Sequence, residues 1–142
     1  MPLVGGGGAG YTAGSNPAGT SGSINYVGGN TYAGWSGQVT PTNGSPITAF
    51  DFITPSDSAW KMNTSFGIDS STLASGELVG YELKQDGQII FERFNHPSGQ
   101  GSVYFDDTIC IVAAQAHIEL ICQTTDGDGI PMTVCLVLEA VE

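Results

Sequence analysis

His117 and Glu119 stand two residues apart in a long apolar, β-branched-rich run, so on a strand their side chains leave the same face. An imidazole beside a carboxylate suits a metal pair or an acid/base pair. The same spacing also describes a polar stripe on an otherwise apolar strand, at a sheet rim or a subunit contact. His96, next to Pro97, reads as a turn residue, and the two histidines fall in different elements. No Ser or Cys nucleophile is set beside either, and no G-x-S-x-G elbow occurs. An enzyme is therefore not expected.

Asp126-Gly127-Asp128-Gly129 could hold calcium through carboxylate and backbone oxygens, but the further acids and terminal Glu of an EF-hand loop are missing. Asp126 and Asp128 are the residues a cation would use; no metal or other cofactor is otherwise expected. The tetrapeptide reads more simply as a tight hairpin tip. Cys110, Cys122 and Cys135 all lie in apolar strand runs and read as buried thiols acting as small hydrophobes. C-x-x-C zinc spacing is absent. Trp60 alternates with apolar residues and belongs in a core, whereas Trp35, in AGWSG, is the better surface anchor. Gly5, Gly7 and Gly10 match a dinucleotide-binding glycine pattern, but no helix pattern follows them, so the match carries no meaning.

The totals narrow the partners. The 142 residues suffice for one domain with a core. Only 12% are charged, the net charge is −11, and the cations are Lys61, Lys84 and Arg93. Three isolated cations cannot form a phosphate-binding patch, so neither direct nucleic-acid binding nor docking on an anionic membrane is expected. No apolar run is long enough to span a bilayer. The start, MPLVGGGG, lacks the cationic and apolar regions of a secretory signal, and maturation in a reducing cytoplasm is expected.

The elements that would position these residues come in two parts. Residues 1–46 contain no Asp, Glu, Lys, Arg or His and hold 13 of the 21 glycines, interleaved with Tyr11, Tyr26, Tyr32 and Trp35. Alone, such a stretch buries too little apolar surface to offset its ordering entropy. It is expected to be an extended arm shaped by a neighbouring chain, with those four aromatics as its partner-binding residues. Residues 47–142 read as a body of short strands. Residues 47–53 form one apolar run closed by Pro55. In 60–68, Trp60, Met62, Thr64, Phe66 and Ile68 alternate onto one face. Asp86-Gly87 is a favoured two-residue turn and predicts a hairpin over 77–94, with Leu83 facing Ile90, Tyr81 facing Glu92 and Val79 facing Phe94. Residues 70–76 read as a loop or one helical turn, and 102–105 as a short strand. The apolar runs either side of residues 126–129 predict a second hairpin, with Ile121 facing Val134, Leu120 facing Cys135 and Ile118 facing Val137. Cys122 and Cys135 would then be diagonal neighbours ~7–8 Å apart, long for a disulfide. Seven or eight strands with frequent turn signals and no long helix predict an all-β fold: an antiparallel β-sandwich, jelly-roll or Greek-key like.

A charge-free, glycine-rich arm (1–46) leading into a compact acidic β-sandwich body (47–142) resembles the head-decoration, or cement, proteins of tailed bacteriophages. The resemblance implies a structural virion protein, often trimeric. It would bind the major capsid protein at capsomer junctions on the outside of the shell, stiffen it, and assemble in the host cytoplasm. An acidic protein, repelled by packaged DNA, suits that outer surface. A tail-fibre or receptor-binding tip, or a carbohydrate-binding β-sandwich module, would use a similar body.

Overall fold

The computed structural model describes residues 24–55, 58–69, 76–95 and 107–141. Among them are nine strands and no helix: β1 (Ile24–Gly28), β2 (Thr31–Val39), β3 (Ile47–Ile53), β4 (Trp60–Ile68), β5 (Val79–Gln85), β6 (Gln88–Asn95), β7 (Thr108–Val112), β8 (His117–Thr124) and β9 (Met132–Ala140). They form two antiparallel sheets, one of five strands ordered β1-β2-β9-β4-β7 and one of four ordered β3-β8-β5-β6. The arrangement is sandwich-like, because both sheets feed one apolar core: Val39, Met62, Met132, Val134, Leu136 and Leu138 from the first, Phe50, Phe52, Tyr81, Leu83, Leu120 and Cys122 from the second. The Tyr81 ring stacks on Phe66 of the other sheet at 4.1 Å between centroids, and its hydroxyl is hydrogen-bonded to the Thr108 hydroxyl on β7. Among the described residues no helix is long and apolar enough to cross a membrane.

Local signals behave as the sequence predicts wherever the partner lies close in the chain. Strand β4 buries Trp60, Met62 and Thr64 and turns the residues between them outward. The Trp60 indole N–H donates to the Pro55 carbonyl at 3.1 Å, which satisfies its polar atom inside the core. Asp86 and Gly87 both take positive φ (51° and 82°), as the two-residue hairpin turn requires, and close Gln85 against Gln88. Beyond the tip the expected register fails by one residue. Leu83 faces Phe91, Tyr81 faces Arg93 and Val79 faces Asn95, because the pairing shifts between Leu83 and Lys84 and leaves Ile90 as an extra residue on β6.

Two larger expectations need correction. The second hairpin does not form. β8 lies between β3 and β5 in one sheet, and β9 between β2 and β4 in the other, so residues 125–131 cross between sheets. Cys122 and Cys135 therefore belong to different sheets. Cys122 is buried, and burial pushes its thiol up to about 12, but Cys110 is half-buried and Cys135 is exposed on the outer side of β9. The boundary at residue 46 also fails. Residues 24–39 are strands β1 and β2 of the body itself, with Ile24, Ser36 and Val39 fully buried. A run without charges has no ions to desolvate in a sheet, and pairing with β9 supplies the ordering that the run alone could not. Residues 1–23, with Tyr11, lie outside the described residues, as do 70–75 and the expected strand 102–105.

Candidate functional site

Two places on the outside of the sheets gather side chains that the core does not use. The first is the outer face of the five-stranded sheet. Trp35 faces Cys135, which faces Ser65; Ala33 faces Val137, then Asn63, then Ile109; Thr31 faces Glu139, then Lys61, then Ile111. Trp35, Ile109 and Ile111 are 53%, 59% and 60% exposed. Ionised groups on these rows are Lys61 and Glu139 alone, and they pair with each other at 3.9 Å. Lys61, Asn63, Val137 and Glu139 line a shallow depression of about 170 Å³, and the Asn63 amide oxygen, itself buried, has no hydrogen-bond partner among the described residues.

Trp35 lies on this face by alternation with Thr31 and Ala33, and β2 becomes irregular just past it. The register with β9 shifts between Trp35 and Gln38, and Gly37 takes φ 71°. A glycine in that left-handed region is what a bulge of this kind uses. The Ser36 hydroxyl replaces the missing ladder bond by accepting the Val134 N–H at 2.9 Å while donating to the Gly37 carbonyl at 2.6 Å. Tyr26 and Tyr32, two of the other expected partner-binding aromatics, pack elsewhere. Tyr26 packs on Tyr32, and Tyr32 packs edge-on against buried Trp60, each pair with centroids 5.3 Å apart.

The second place is the outer face of the four-stranded sheet, which is acidic. Asp51, Glu82, Glu92 and Glu119 point outward there beside Lys84 and His117. His117 and Glu119 do share one face of β8, as their spacing predicts. The residue that spacing could not supply is Asp51, the direct cross-strand partner of Glu119 on β3. His117 Nε2 lies 2.6 Å from Asp51 Oδ1, and its Nδ1 lies 3.9 Å from Glu119 Oε1. The β5–β6 turn clips the start of this strand in place: the Asp86 N–H donates to the His117 carbonyl at 2.8 Å, and the His117 N–H donates to Asp86 Oδ1 at 2.9 Å. The hydrogen bond to Asp51, and then the charges of Asp51, Glu119 and Asp86, hold the imidazole above its usual pKa, against a smaller lowering by desolvation.

Asp126 and Asp128 show a different chemistry. Asp126 is 5% exposed, and its Oδ1 accepts the N–H groups of Asp128 at 2.8 Å and Gly129 at 2.9 Å. That carboxylate is occupied in closing the inter-sheet turn, an Asx turn in effect. No protein-family model, no curated protein and no solved structure matches this chain.

Proposed function

We propose that this chain is a structural virion protein that decorates the head of a tailed bacteriophage, seating the outer face of its five-stranded sheet on the outer surface of the capsid shell. The observation that carries the reading is the division of charge. A chain of net charge −11 keeps one sheet face almost free of ions, with Lys61 and Glu139 neutralising each other, while the opposite face carries Asp51, Glu82, Glu92 and Glu119. Apolar side chains on the quiet face give a seat that needs little ion desolvation, with Trp35 as the anchor. The acidic face then points to solvent and keeps neighbouring copies soluble.

Connectivity supports the same reading. Strands pair as β2 with β9, β3 with β8, β4 with β7 and β5 with β6. That nesting supports a jelly-roll reading, an architecture used by viral capsid and lectin domains. Fold alone does not carry function, so the face carries the argument. The partner is the major capsid protein, and the chain acts as a homo-oligomer, a trimer in the form the resemblance favours, with no catalytic role.

The test is co-sedimentation of the full chain with undecorated shells of the virus that encodes it, followed by imaging of the decorated particle. Saturable binding at capsomer junctions, with the five-stranded sheet against the shell, is the expected result. A chain that leaves shells bare overturns the reading, as does binding to a glycan that Trp35→Ala abolishes. Deleting residues 2–23 measures what the uncharged N-terminal stretch adds to particle binding.

A further inference from the structure

We propose that Asp51, His117 and Glu119 form a binding site for a borderline divalent transition cation of the zinc type, on the outer face of the four-stranded sheet. The inference stands apart from the docking reading, since it concerns the opposite face.

Three observations converge. A donor atom from each residue lies within 4.8 Å of the other two. Tetrahedral zinc with bonds of about 2.0–2.1 Å separates its ligand atoms by roughly 3.3 Å. Exposed side chains reach that spacing by small rotations, since the three side chains are 48%, 42% and 26% exposed. Next, Asp51 and Glu119 are direct cross-strand partners, and like charges placed so destabilise a sheet unless a cation sits between them. Finally, the nearest ammonium is engaged elsewhere. Lys84 faces Glu119 across β5, yet its Nζ lies 4.0 Å from Glu82 Oε2. Among the described residues, His117 is the group that answers the two carboxylates, and an imidazole can do so as a proton carrier or as a metal ligand.

Donor chemistry selects the metal class. One imidazole nitrogen with two carboxylates suits zinc, cobalt or nickel, whereas calcium and magnesium prefer six or more oxygens. The cation takes the place of the proton shared by His117 Nε2 and Asp51, and Glu119 closes from the same strand. Its remaining positions face water, so the site binds without burying the ion.

The experiment uses the full chain stripped with chelator, titrated with zinc by calorimetry and with cobalt by visible absorption. One equivalent is expected to bind in the micromolar range, with the cobalt spectrum of a low-coordinate N/O site. D51N and H117A should each weaken zinc binding at least tenfold, while E92Q, a carboxylate on the same face outside the cluster, should change it less than twofold. Zinc binding that survives H117A, or calcium binding as tightly as zinc, overturns the proposal and leaves only an acidic surface. Asp51 and Glu92 are exposed and His117 is half-buried, and an unchanged far-ultraviolet spectrum separates lost binding from lost fold.

Discussion

On the proposed decoration role, replacing Ile109 and Ile111 together with serine should release the protein from the capsid shell without unfolding it. Full burial of an isoleucine side chain is worth about 1.5–3 kcal/mol. At 59% and 60% exposure, each side chain has roughly 60% of that still to gain on docking, about 1–1.8 kcal/mol. Losing both removes about 2–3.5 kcal/mol, a roughly 30- to 300-fold rise in Kd. The folded state loses far less, because these side chains leave the outer face of edge strand β7, where propensity effects span about 1 kcal/mol. Ile89→Ser is the matched control: it removes a side chain of 51% exposure from the acidic face and should leave affinity unchanged. Co-sedimentation with undecorated shells at two salt concentrations reads the result, and affinity set by apolar burial should vary little between them. Double-variant binding within twofold of the parent would refute the face assignment, as would an equal loss in Ile89→Ser.

Other perturbations probe the scaffold and the acidic face. Tyr81→Phe strands the Thr108 hydroxyl in a site 5% exposed and should cost about 1–2 kcal/mol in urea unfolding, with the ring stack on Phe66 retained. Gly80→Ala should destabilise by about 1–3 kcal/mol or more, because its Cβ would fall 2.3 Å from the Arg93 carbonyl oxygen and 2.2 Å from the Phe94 ring. A chelator-treated sample followed by imidazole NMR should show His117 titrating above the ordinary histidine value of about 6.5, and Asp51→Asn should bring it down. The sign follows from the raised folded-state pKa: the stabilisation is complete below the unfolded value and is lost as pH rises through the folded one. A His117 pKa at or below 6.5 would remove the electrostatic account of the cluster.

How much of this was legible depends on how far apart the partners lie in the chain. Asp86-Gly87 gives away its hairpin because the turn and both strands are contiguous, and Trp60 to Ile68 shows its buried face by alternation alone. The bulge at Ile90 has no such mark, and it displaces every pair beyond it. Residues 126–129 mislead for a physical reason. The same Asx turn that could close a hairpin also lets the chain leave one sheet for the other, and the choice rests on which strands flank β8 and β9. Strands β1 and β2 were hidden by their composition, since a glycine-rich run reads as costly to order until β9 offers it a ladder. Asp51 meets His117 across 66 residues, a separation at which no spacing rule applies.

The nested pairing also explains why the division of charge could not be read along the chain. The acidic residues Asp51, Glu82, Glu92 and Glu119 come from β3, β5, β6 and β8, while Trp35, Lys61, Ile109 and Val137 come from β2, β4, β7 and β9. Sequence-adjacent strands mostly fall in different sheets, so the two sets alternate in the chain and appear as a uniform scatter of weak charge. Only the fold sorts them, by sending consecutive strands to opposite sides of one core. A face sorted in this way is insensitive to changes on the other, because the core lies between them and nearby ion pairs link strands of a single sheet: Lys61 with Glu139, His117 with Asp51. The docking and metal readings are therefore separable. Variants at Ile109 and Ile111 should leave zinc binding intact, and variants at Asp51 and His117 should leave attachment to the shell intact.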